Sequence, residues 1–137
     1  MGHDFSAFED RILRRGFGDL IGVRLDHLED GFCRIRLPYK PELSRGDELV
    51  HGGVIAALID KAGTAAAWSY GDIREDARGA TVGMTVNYLK GAVSCDLIAE
   101  GRVVRRGGSL TVVDVEVKSP NGDLIAKGPV TYKLTRS

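Results

Sequence analysis

The chain has 137 residues, 43% of them hydrophobic, enough for one domain whose core takes about two-thirds of the unfolded surface out of water. Its 19 Lys and Arg balance 19 Asp and Glu; the resulting zero net charge argues against a nucleic acid or an anionic membrane held through bulk charge. No run approaches the roughly 18 apolar residues of a membrane span, no basic-then-apolar leader opens the chain, and Cys33 and Cys95 stand apart, as in a reduced cytoplasmic protein.

Met1-Gly2-His3-Asp4-Phe5-Ser6 formally fits an N-myristoylation pattern, but nothing else in the chain points to a membrane. Phe5, Phe8, Ile12 and Leu13 fall at helical spacing and predict a short amphipathic helix over residues 5–15, ending at Gly16. From Leu20 to Leu37 two alternating runs appear, Ile21/Val23/Leu25 and then Cys33/Ile35/Leu37 with Phe32, Arg34 and Arg36 on the other face. Glu29-Asp30-Gly31 separates them as a hairpin turn. A polar loop from Pro38 to Glu48 follows, and its Arg45-Gly46-Asp47 is a coincidental adhesion tripeptide in a cytoplasmic protein.

The stretch His51 to Trp68 reads as one apolar, small-residue helix, and such a helix is normally buried. Asp60 in its middle is the anomaly, because a carboxylate taken out of water persists only if it is paired, hydrogen-bonded or shifted in pKa. Gly52 and Gly53 leave the unpaired N–H groups of a helix start open to close approach. Gly52 and Asp60 are about two turns and roughly 12 Å of rise apart, so one copy cannot bring both to one reacting atom. Two copies packed antiparallel can.

Four alternating segments come after a connection over residues 71–79: Thr81 to Leu89, Asp96 to Arg106, Ser109 to Lys118 and Leu124 to Leu134. Arg106-Gly-Gly-Ser109 and Ser119-Pro-Asn-Gly122 mark tight turns between them. A block of antiparallel strands with one long apolar helix is α+β, the sheet curling around that helix.

His51-Gly-Gly followed by Asp60, with Thr81-Val-Gly-Met-Thr-Val-Asn-Tyr88 and Arg105-Arg-Gly-Gly-Ser-Leu110 behind it, resembles the hotdog-fold acyl-CoA thioesterases of the PaaI-like group over residues 18–134. The resemblance implies a dimer, often paired again as a tetramer, with a shared active site at the interface and no metal or redox cofactor. It makes Gly52 the backbone donor that polarises the thioester carbonyl, helped by the helix N-terminus. Asp60 of the partner copy becomes the catalytic carboxylate, either base or nucleophile. Thr81 takes the place of a hydroxyl that orients water, and His51 supports the oxyanion region. The substrate side takes Gly53, Gly83 and Tyr88, with Lys90, Arg105, Arg106 and Gly108 near the coenzyme A phosphates.

One departure concerns the loop, where related enzymes carry Asn or Gln about six residues before the His and this chain has Arg45. Either Arg45 or Ser44 then contacts the carbonyl, or Gly52 acts alone. Plainer roles compete at each position: Asp60 bonded to a neighbouring hydroxyl or paired with Lys61 or an Arg, His51 as a helix cap, Thr81 as an ordinary strand residue, Arg105 and Arg106 as solvated turn charges. Trp68, Tyr70 and Met84 suit a core, an interface or the lining of an acyl tunnel. His3, His27 and His51 lack zinc-ligand spacing. The expectation is thioester hydrolysis of an acyl-CoA by a homo-oligomer. A non-catalytic acyl-CoA sensor is the first alternative, and a hotdog hydratase or dehydratase the second, although residues 52–69 carry no His for the latter.

Overall fold

An inward face of Ile, Leu and Ala on one helix, and alternating apolar residues on several strands, are buried together only if the helix lies across the sheet. That is the arrangement in the computed structural model, which describes residues 4–135. Met1, Gly2 and His3 lie outside the described residues, and the match to the myristoylation pattern begins there. The strands are β1 (Arg24–Glu29), β2 (Phe32–Leu37), β3 (Arg78–Met84), β4 (Asn87–Tyr88), β5 (Leu97–Arg106), β6 (Leu110–Lys118) and β7 (Leu124–Thr135). They form one antiparallel sheet in the order β1-β2-β5-β6-β7-β3, with β4 on the same side of β7 as β3. The sheet curves around the central helix α3 (Gly52–Trp68), an α+β fold of the expected kind.

Small residues let α3 sit close to the strands. A Cβ on Gly101 of β5 would lie 2.6 Å from the Ala62 carbonyl oxygen, and one on Gly63 would lie 2.7 Å from the Val130 side chain. Around this seat Ile55, Leu58, Ile59, Ala62, Ala65 and Ala66 are buried against Ile35, Ala99, Val113, Val115 and Val130. Cys33 shares the seat; its thiol donates to the Ala62 carbonyl at 3.3 Å, and burial pushes its pKa up to about 12.

The chain departs from the expected elements in two places. The predicted helix over 5–15 is α1 (Phe5–Phe8) continued by a wider π-type winding over Glu9–Arg14, and a second helix, α2 (Phe17–Ile21), follows where a strand was expected to begin. Gly22, at φ 89°, closes α2 by returning its N–H to the Gly18 carbonyl, so β1 starts only at Arg24. Ile21, Val23 and Leu25 are all buried, so their alternation reported burial rather than strand. The expected strand Thr81 to Leu89 is broken between β3 and β4. There β7 carries Gly128-Pro129: Pro129 has no N–H to offer, and the Thr85 carbonyl passes so close to Gly128 that a Cβ there would collide with it.

On the outer face of the sheet the charges interlace. Arg34 meets Glu100 at 3.1 Å, Lys118 reaches Glu100 and Glu116, and Lys127 reaches Glu116 and Asp114. Phe32 is buried among these side chains with the Arg102 guanidinium 4.6 Å above its ring.

Gly101→Ala is expected to cost about 1–3 kcal/mol by overpacking the seat, while Gly108→Ala, with nothing within 4 Å, should leave denaturant unfolding unchanged. Titration of the folded chain with an aromatic disulfide at neutral pH should count one thiol, Cys95, and a second only in denaturant. Two fast thiols in the native protein would contradict the seat as described.

Candidate active site

The helix start is built from four consecutive backbone groups. His51 precedes α3 in an extended conformation, and its Nδ1 accepts the Gly53 N–H at 2.8 Å. Its carbonyl accepts from Val54 and Ile55 at 3.0 and 3.2 Å. The Gly52 N–H finds no acceptor among the described residues, and this donor points out of a positive helix end. On the other side of Gly52, the Tyr88 hydroxyl donates to its carbonyl oxygen at 2.7 Å. His51 therefore caps the helix, and the capping bond leaves Gly52 rather than Gly53 as the open donor.

The loop ahead of the helix is tied down by backbone bonds, His51 N–H to the Leu43 carbonyl and Val50 N–H to the Ala92 carbonyl, each at 2.9 Å. Arg45 is exposed and turned onto Asp47, with contacts of 3.0 and 3.1 Å; its guanidinium holds the Asp47 carboxyl below the usual range. The Ser44 hydroxyl accepts from the Gly46 N–H at 3.2 Å. The Arg45 guanidinium is thus turned onto Asp47 within the loop, while Ser44 Oγ, an acceptor in its bond, keeps its O–H to donate.

Two turns along α3, the Thr81 hydroxyl donates to Asp60 Oδ1 at 2.6 Å. Thr81 is delivered by β3, opposite Tyr132 of β7. Tyr132 packs against Gly79, where a Cβ would strike its ring, and its hydroxyl accepts from Trp68 Nε1 at 2.8 Å. Lys61 turns the other way and donates to the Leu13 carbonyl at 3.0 Å; burial lowers its pKa, with Asp60 acting in the opposite sense. The expected full desolvation of Asp60 is not found: the carboxylate is half-buried. Gly53, Ala56, Ala57, Asp60 and Thr64 form a stripe of small or short side chains along α3 that nothing among the described residues fully covers.

The remaining sequence candidates are spread out. Gly83 lies on β3 with open space beside it. Lys90 pairs with Asp123 at 2.7 Å. Arg106 forks onto Asp72 at 2.6 and 3.1 Å and stacks 3.9 Å over the Tyr70 ring, beyond the C-terminal end of α3 and so at the opposite end from Gly52. Arg105 and Gly108 are exposed near the β5–β6 turn. Cavities of about 540 Å³ beside Phe8, Arg11 and Glu75, and about 310 Å³ beside Lys90, Val93 and Asn121, are not lined by Asp60. Among the described residues no three His, Cys, Asp or Glu converge on a metal position, and no helix is long and apolar enough to cross a membrane.

Sequence reasoning named the helix residues and Thr81 but missed the Trp68–Tyr132 bond and the partner that Tyr88 finds at Gly52. These pairs are 64 and 36 residues apart, beyond any local pattern.

Residues 48–126, from the end of the polar loop to the start of β7, match the Thioesterase superfamily. An inferred esterase of Halobacterium salinarum is 38% identical over 108 residues, covering 77% of this chain and 71% of its own. The medium/long-chain acyl-CoA thioesterase YigI of Salmonella typhimurium is 26% identical over 131 residues, covering 86% and 84%. The crystal structure of a thioesterase family protein from Silicibacter pomeroyi superposes with a TM-score of 0.85 at 26% identity, covering 95% of this chain and 96% of that one. With a central helix wrapped by an antiparallel sheet and a matched span that holds Gly52, Asp60 and Thr81, the chain belongs to the hotdog-fold thioesterase superfamily and is a thioester hydrolase.

Proposed function

We propose that the chain hydrolyses an acyl-CoA thioester to the free carboxylic acid and coenzyme A, with Asp60 as general base. The observation that carries this reading is the Thr81 to Asp60 hydrogen bond of 2.6 Å. It occupies Oδ1 and leaves Oδ2 and the lone pairs of the Thr81 oxygen as two acceptors for one water. In the step that follows, Oδ2 takes a proton from that water as its oxygen attacks the carbonyl carbon. The Gly52 N–H stabilises the oxyanion, the C–S bond breaks, and the proton on Asp60 passes to the departing thiolate.

Gly52 and Asp60 are too far apart along one helix to meet, so the reading requires a second copy of the chain. Two features support that. The outer edge of β3 has no strand beside it among the described residues, and Val82, Met84 and Leu89 near it are 55%, 39% and 57% exposed. The uncovered small-residue stripe on α3 accepts a second helix closely. Coenzyme A phosphates would fall to Arg45, Lys90 and Arg105. The pairings of Arg45 with Asp47 and Lys90 with Asp123 are exposed ones that exchange readily.

Asp60→Asn should fold and bind acyl-CoA while kcat falls about 10²- to 10⁴-fold; thiol-release assays over short, long and aryl acyl-CoAs test this, and undiminished turnover rejects the role of Asp60. Gly52→Pro removes the donor at the first helical position, where Pro is well accommodated, and should lower kcat about 10²- to 10³-fold. Co-refolding these two inactive variants should restore activity at one of the two sites of each mixed pair. A mixture that stays inactive rejects the shared site.

A further inference from the structure

We infer that Tyr88 is a positioning residue for the Gly52 donor, acting through the opposite end of the adjoining peptide. The inference rests on the proposed reading of Gly52 as the oxyanion contact.

The peptide unit between Gly52 and Gly53 is held at both ends by side chains. Its carbonyl oxygen accepts from the Tyr88 hydroxyl at 2.7 Å, and its N–H donates to His51 Nδ1 at 2.8 Å. The unit before it, between His51 and Gly52, is fixed at its carbonyl by Val54 and Ile55. Two planes so fixed leave the Gly52 N–H one direction. The Gly52 carbonyl also accepts within α3, as a helix beginning at Gly52 requires, but that bond ties the turn only to itself: Gly52 has no Cβ, its φ and ψ are the least restricted of any residue, and first-turn amides fray most readily. The His51 bond alone ties Gly53 to its near neighbour and does not tie either residue to the sheet.

Tyr88 supplies that tie because of where the edge strand breaks. The kink at Thr85 and Val86 restarts pairing as β4, with Asn87 opposite Lys127 and Tyr88 opposite Ala126, and the Leu89 and Lys90 N–H groups both donate to the Ile125 carbonyl at 2.9 and 3.2 Å. The backbone under Tyr88 is thereby fixed to β7, while its ring stands 55% exposed with its edge against Gly52, 3.5 Å from where a Cβ would be. The Tyr88 hydroxyl reaches the helix end, and polarising the carbonyl also strengthens the neighbouring N–H bond to His51.

Tyr88→Phe keeps the ring and deletes the tie. In this variant the Gly53 amide, followed by hydrogen exchange in the assembled protein, should exchange about 10-fold faster or more, with global unfolding unchanged. On a thioester that the wild type hydrolyses, kcat should fall about 10- to 100-fold while KM moves less than about twofold, the split expected when binding survives and donor alignment does not. Tyr88→Leu should add a KM rise by removing the ring. Unchanged Gly53 exchange in Tyr88→Phe overturns the clamp, and a wild-type kcat despite faster exchange overturns the positioning role. Wild-type protein that hydrolyses no thioester overturns the reading of Gly52 itself, whereas the Gly53 exchange rate then still decides whether Tyr88 holds the peptide.

Discussion

Everything else in this fold depends on how near α3 lies to the sheet. With Gly101 under Ala62 and Gly63 over Val130 the helix approaches at backbone distance, and at that distance its rotation about its own axis is fixed. Rotation decides which residues face the strands and which remain open. The large apolar side chains take the first face; Gly53, Ala56, Ala57, Asp60 and Thr64 are left on the other. Thr81 is then within reach of Asp60 because β3 is the strand next to that open stripe, and Tyr132 and Trp68 fill the space behind it.

The electrostatics of the site follow from the same placement. Asp60 is neither a solvated surface charge nor a carboxylate sealed in the core. It keeps one oxygen bonded to a hydroxyl and the other available, while Lys61, its sequence neighbour, donates to the Leu13 carbonyl. At the helix start one side-chain acceptor, His51, covers one of two adjacent donors. An open donor at the helix start and an open acceptor two turns along are the minimum that an addition to a carbonyl needs.

Much of this was legible in the sequence, for reasons that differ by element. The long helix announced itself through its composition, and Asp60 through being the wrong residue for it. The hairpins of β5, β6 and β7 followed from strict alternation and from glycine at the turns, with Gly122 at φ 92°. What failed were places where a tertiary contact overrode a local pattern: α2 took residues whose spacing suited a strand, and Pro129 and Gly128 on β7 broke a strand that looked continuous from Thr81 to Leu89. The loop candidates show a third limit. Arg45 has the right chemistry to contact a carbonyl, but sequence does not reveal that its guanidinium is turned onto Asp47.

The pairing of cations with carboxylates across this neutral chain also bears on how it would meet a polyanion. Arg45, Lys90 and Arg106 each hold an acid of their own. A phosphate arriving at any of them displaces a carboxylate instead of meeting a bare charge, so capture is an exchange of anions. Exchange carries little long-range attraction, and added salt loosens the bond being broken along with the one being made. Affinity gained at these three cations should change little with ionic strength.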